Sequence, residues 1–200
     1  AYIVREYCEE PSNFRCEGKL DDFLREQGIP GLWGIDTRRL TKIIRESGVM
    51  NAFLTTDKSK IPEGAQLCKP YRIEGAVNAV SRFEPYETVG ASERTVVLWD
   101  FGAKENIEKC LLNYGCEVIC VPSFATAEQI LSYEPEGVML SNGPGDPAEN
   151  VEVIEELKKL CAAKIPIMGI CLGHQLLALA NGAKTEKMKY GHRGANQPAV

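Results

Sequence analysis

From Thr95 onward, short apolar runs alternate with amphipathic stretches four times, and this rhythm constrains the fold more than any other feature of the 200 residues. Residues 95–99 read as a buried strand, followed by a helix over 103–113 that Gly115 stops. Residues 116–121, closed by Pro122, form the next strand, with a helix over 126–133. A third strand over 137–140 leads to a helix over 151–163. A fourth over 165–170 leads to a helix over 173–181, ended by Gly182. Strand–helix units in succession place parallel strands in one sheet with helices on both faces. The expected class is α/β, a doubly wound parallel sheet over residues 92–200.

Residues 1–91 lack this rhythm. Residues 1–4 are strand-like, 20–27 look helical, and 37–47 look helical with Asp36 as N-cap and Gly48 as the stop. Residues 57–85 are rich in Pro, Gly and charge, which predicts irregular structure and then a linker ending near Ser92. The expected organisation is a partial companion domain over 1–91 ahead of the α/β domain.

Composition narrows the function. The net charge is −5, and neither half of the chain holds the positive excess that phosphate neutralisation requires, which argues against nucleic-acid binding. No apolar run approaches a membrane span and no signal-peptide pattern opens the chain. The expectation is a soluble, cytoplasmic protein without nucleic-acid or membrane partners. The chain opens on Ala1 and ends on Val200 without a terminal helix, as a piece of a longer protein would. Its eight cysteines include no C-x-x-C, and His174 and His192 stand apart from any Cys pair, so no metal spacing is present. Cys110, Cys116, Cys120 and Cys161 fall in apolar stretches and are expected to act as small buried hydrophobes. Without a secretion signal a disulfide framework is not expected.

In open α/β sheets, ligands bind beyond the carboxyl ends of the strands. Two of those ends carry unusual loops: Ser141-Asn142-Gly143-Pro144-Gly145-Asp146-Pro147, and Gly169-Ile170-Cys171-Leu172-Gly173-His174-Gln175. Consecutive units tend to be neighbours, so both loops should open onto one crevice. Gly-x-Cys-x-Gly between a strand and a helix is the cysteine form of a nucleophile elbow. Gly169 and Gly173 permit the tight turn, the helix dipole favours a thiolate at Cys171, and the Leu172 amide points where an oxyanion would form. Gly143 and Gly145 allow close backbone approach and positive φ, while Pro144 and Pro147 stiffen the loop. An amide from this loop would complete a two-donor oxyanion hole. The plainer readings are a buried structural cysteine and a rigid connection with no ligand. A cysteine nucleophile needs a histidine base. His174, three residues on, should point into packing, and the loop holding His192 has no predicted position.

These two loops together resemble the class I glutamine amidotransferases. Asp100-Phe101-Gly102-Ala103-Lys104 with Asn106-Ile107, and Gly34-Ile35-Asp36-Thr37-Arg38-Arg39-Leu40-Thr41, resemble the family of carbamoyl phosphate synthase small subunits. The resemblance spans essentially the whole chain. It implies a cysteine that attacks the side-chain amide of glutamine, releases ammonia and leaves a glutamyl thioester for water to hydrolyse. By position it makes Cys171 the nucleophile and Gly143 and Leu172 the backbone oxyanion donors. It assigns glutamine binding to Gly143, Gly145, Leu172 and Gln175. It implies no cofactor or metal in this chain. ATP and a divalent metal belong to a large synthetase subunit that receives the ammonia for carbamoyl phosphate synthesis, in pyrimidine or arginine supply.

The same family takes its base and orienting acid from a downstream His-x-Glu, and no such triplet occurs here. The expectation is therefore a piece truncated at both ends, with little glutaminase activity alone. Three other readings stay open: the amidotransferase chain of another synthetase (anthranilate, guanylate or cytidylate), a non-catalytic binding or regulatory subunit, and a redox-sensing thiol. Arg38, Arg39, Lys42 and Arg45 form either an interface helix or a solvated face. Lys187, Lys189 and Arg193 are read as surface charge or a contact for an acidic partner.

Overall fold

The computed structural model describes residues 1–88, 94–189 and 191. The chain divides into two compact units, Ala1–Tyr71 with the described part of Lys187–Val200, and Arg72–Glu186. In the first unit, β1 (Tyr2–Ile3) pairs in parallel with β2 (Gly31–Leu32), and α1 (Leu20–Glu26) lies between them in sequence. Next comes α2 (Thr37–Ser47), where Asp36 accepts from the Arg39 amide at 3.0 Å and Gly48, at φ +90°, ends the helix. The spacing of the sequence predicts these bounds, because one cap satisfies the free amides of the first turn and the other the free carbonyls of the last. Arg38, Arg39, Lys42 and Arg45 are all exposed on it. A further helix, α3 (Ile61–Cys68), opens on Pro62 and lets Phe53 ride against Gly64.

In the second unit, α4 (Ala76–Val80) and β3 (Tyr86–Thr88) precede β4 (Arg94–Asp100), α5 (Glu105–Asn113), β5 (Cys116–Pro122) and α6 (Ala127–Ser132). The chain continues through β6 (Gly137–Leu140), α7 (Val151–Ala162), β7 (Ile167–Gly169) and α8 (Leu172–Ala180). The strands form one sheet in the order β3-β5-β4-β6-β7, parallel except for β3, which runs antiparallel along the edge at β5. From β4 the chain moves first to β5 on one side and later to β6 on the other. The strand order therefore reverses between β4 and β6, the place where such sheets open a crevice.

The period-two alternation of β4 builds both faces. Val97 and Trp99 enter a core with Val138, Leu140, Leu157, Leu160, Leu172 and Leu176, under α6, α7 and α8. Leu98 points the other way, joining Val118 and Cys120 beneath α5. The capping box at the start of α6, with Thr126 and Gln129 satisfying each other's backbone, fixes the turn out of β5.

Several expectations are corrected. Residues 57–85 are not all irregular, since α3 and α4 occur there; at eight and five residues both are too short to display a helical period. The parallel sheet gains the antiparallel β3, a three-residue edge strand. Tyr86 and Thr88 on it donate to the two carboxylate oxygens of Glu108 on α5, each at 2.6 Å, and these bonds hold it in place. Cys120 is buried, but Cys116 and Cys161 are only half-buried and Cys110 is exposed, because the helix turns that side chain to the solvent face. All eight cysteines are free thiols. Ser92, His192 and Arg193 lie outside the described residues.

Candidate active site

Cys171 sits between β7 and α8 at φ +54°, ψ −109°, a conformation that L side chains rarely adopt. Such strain costs on the order of 1–3 kcal/mol and survives only where the surroundings over-determine it. Two glycines do this. A Cβ on Gly169 would lie 2.5 Å from the Gly173 carbonyl carbon and the His174 nitrogen, and one on Gly173 would lie 2.5 Å from the Leu140 carbonyl oxygen. Neither residue can be replaced without driving β7, α8 and β6 apart. Backbone bonds complete the turn: Ile170 N donates to Leu140 O at 3.0 Å, and Gly173 N to Ser141 O at 3.1 Å and Ile170 O at 3.0 Å. The result lifts the Cys171 side chain into an exposed position at the N-terminus of α8.

The loop after β6 lies against this turn. A Cβ on Gly143 would fall 2.6 Å from Leu172 Cδ2 and 2.5 Å from Phe101 O, so glycine is required there by contact. Of the two freedoms the sequence allows these glycines, Gly145 uses positive φ, at +88°, and Gly143 uses close approach without it. Among the described residues neither the Gly143 nor the Leu172 amide donates a hydrogen bond. Gly145 turns away toward α4, where its Cβ would meet Ala76 at 3.2 Å, and borders a groove of about 290 Å³ lined by both elements. Gln175 is exposed one turn into α8, and its amide donates to Cys171 O at 3.1 Å. The structure thus brings Gly143, Cys171, Leu172 and Gln175 together, while Gly145, two positions beyond Gly143 in the loop, borders the groove toward α4. His174, expected to face packing, is exposed instead, because the packed positions of α8 are Leu172, Gly173 and Leu176.

Three side chains without a predicted role organise the neighbourhood. Asp100, only 3% exposed at the carboxyl end of β4, accepts from Gly102 N at 2.8 Å, Ala103 N at 2.7 Å and Arg82 N at 3.1 Å. Ser141, fully buried, accepts from Phe101 N at 2.8 Å and donates to Asn142 O at 2.8 Å. Asn142 donates to Gly102 O at 3.0 Å and accepts from Lys104 N at 3.1 Å. A charged residue ending an apolar strand was the available signal for Asp100. Nearby, burial pushes the Cys120 thiol up to about 11. Burial and the Glu108 carboxylate together raise the Tyr86 hydroxyl. Among the described residues no cluster of His, Cys, Asp and Glu is arranged to hold a metal, and no helix is long and apolar enough to cross a membrane.

Comparison with known proteins matches both halves of the chain. The family model described as glutamine amidotransferase class-I covers residues 97–200, and that of the carbamoyl-phosphate synthase small chain, CPSase domain, covers residues 1–54. The chain is 48% identical to a carbamoyl phosphate synthase small chain of Bacillus caldolyticus, over 98% of its own length and 54% of that protein's. It is 45% identical to proteins of that name from Clostridium perfringens and Thermosynechococcus vestitus, over 98% of its length and 56% of theirs. The chain spans about half the length of the curated relatives it matches. With a strand–Cys–helix turn seated beside a glycine loop, and a family match over more than half its residues, the chain belongs to the class-I glutamine amidotransferases.

Proposed function

We propose that this chain is part of the glutamine-hydrolysing small subunit of a carbamoyl phosphate synthase. Cys171, as thiolate, attacks the side-chain amide carbon of glutamine. The carbonyl oxygen takes up the negative charge between the Gly143 and Leu172 amides, the base gives the proton it took from the thiol to the departing nitrogen, ammonia leaves, and water later cleaves the glutamyl thioester to glutamate and free thiol. The ammonia goes to a large synthetase subunit, which carries the ATP and divalent metal; this chain carries no cofactor of its own. Gly145 and Gln175 complete the glutamine site, residues 1–91 comprise a partial amino-terminal small-subunit domain plus a linker, and residues 92–200 belong to the amidotransferase domain. The general base and its orienting acid belong to a His-x-Glu outside these 200 residues, so the isolated chain turns glutamine over poorly. The setting is the cytoplasm, in a heterodimer.

The observation that carries this reading is the strained backbone of Cys171, exposed at a helix N-terminus next to the Leu172 and Gly143 amides, which have no partner among the described residues. In the full-length protein, Cys171→Ala lowers glutamine hydrolysis by about a thousandfold or more. A chloroketone analogue of glutamine labels Cys171 ahead of the other seven thiols. Undiminished turnover in the variant, or uniform labelling of the thiols, overturns the assignment.

A further inference from the structure

We propose that Asp100, Ser141 and Asn142 are positioning residues that set the Gly143 amide at the distance from Cys171 that the oxyanion requires. None of the three need touch glutamine. The proposal rests on the oxyanion role given to Gly143 above.

The wiring is as follows. Asp100 gathers the amides of Gly102, Ala103 and Arg82, and so fixes the turn after β4, in which Gly102 sits at φ +112°. Asn142 clasps that turn from the neighbouring loop, donating to Gly102 O and accepting from Lys104 N. Ser141 joins three elements at once. Its amide donates to Trp99 O at 3.1 Å, its carbonyl accepts from Gly173 N at 3.1 Å, and its hydroxyl accepts from Phe101 N at 2.8 Å. Gly143, which follows Asn142 in the loop, is therefore trapped between Phe101 O and the side chain of Leu172. Its amide has no freedom to follow a substrate, so the donor is in place before glutamine arrives. Preorganised donors gain their catalytic effect in this way, since no reorganisation is left for the moment of reaction. Asn142 is the least buried member, and the fold survives its loss most readily.

The test uses Asn142→Ala and Asn142→Asp in the full-length protein. With the clasp gone, the kcat for glutamine hydrolysis falls about tenfold to a hundredfold while KM changes less than about threefold. Asn142→Asp keeps the acceptor for Lys104 N but turns a carboxylate oxygen on Gly102 O in place of the donor, and falls at least as far as Asn142→Ala. Alkylation of Cys171 by iodoacetamide forms no oxyanion, so its rate stays within about twofold of wild type. An unchanged kcat, or alkylation falling in step with kcat, overturns the proposal, the latter by showing that the whole turn has collapsed. A structural readout separates this from the glutaminase reading: in 15N spectra, Asn142→Ala shifts the Gly143 and Leu172 amides and leaves those of β5 in place. If the wild-type protein does not hydrolyse glutamine, the functional reading fails. If those amides do not move, the brace fails whatever the substrate.

Discussion

The two compact units have similar local chemistry and opposite burial. The unit of Ala1–Tyr71 forms helices, α2 among them capped by Asp36, yet among the described residues none of its hydrophobic side chains is fully buried, and Phe14 stands 91% exposed. The unit of Arg72–Glu186 buries Trp99, Phe101, Leu140, Leu157, Leu160, Leu172 and Leu176 completely or nearly so. A side-chain cap opens one α-helix in each unit, α2 in the first and α6 in the second. In this chain the sheet with helices on both faces is what removes the apolar surface that offsets chain entropy. The candidate site belongs to the second unit, where a strained residue such as Cys171 can be held.

Four substitutions or titrations would break or sharpen that contrast, the largest first. Trp99→Ala removes a fully buried ring that packs 5.4 Å from Phe101 and whose Nε1 donates to Pro122 O at 3.0 Å. It should cost about 3–5 kcal/mol in urea unfolding. A loss below about 1 kcal/mol would mean that the sheet core is not the main source of stability. Gly173→Ala forces a methyl to 2.5 Å from Leu140 O and should cost about 1–3 kcal/mol, with slower alkylation of Cys171 as the turn opens. A neutral effect there would show that the contact relaxes.

The third concerns pH. Cys120 titrates near 9 when unfolded and near 11 when folded, since burial favours the neutral thiol. Below pH 9 both states are protonated and its contribution is fully present. Between pH 9 and about 11 only the folded state keeps the proton, so stability falls as pH rises. The drop, about 1–2 kcal/mol once solvent screening is allowed for, should be absent from Cys120→Ala. Equal slopes in both proteins would count against it. The smallest effect is expected at Phe14→Ala, within about 0.5 kcal/mol. A larger loss would mean that Phe14 is covered in solution.

Much of this was legible in the residues. Bounds such as Thr37–Ser47 follow from Asp36 and Gly48, because a cap acts within one turn. The elbow was legible for the same reason: Gly169, Cys171 and Gly173 are adjacent in sequence. What escaped was non-local. Strand β3 exists because its backbone pairs antiparallel with β5, about 30 residues on, and Glu108, 22 and 20 residues away, anchors it by accepting from Tyr86 and Thr88. The exposure of Cys110 and His174 depends on which face of a helix meets its neighbours, and an apolar-looking stretch does not fix that face. Gly143 reads as a turn glycine, whereas the fold uses it for clearance beside Phe101 and Leu172.

By itself the sequence determined the strand–helix rhythm, the caps and the tight turn at Cys171, all of which arise from contacts within a few residues. Tertiary structure alone decided the strand order, the antiparallel edge and the approach of Ser141, Asn142 and Gly143 to Cys171. Those depend on hydrogen bonds and van der Waals contacts between segments about 20 to 40 residues apart, which form only once the sheet has assembled.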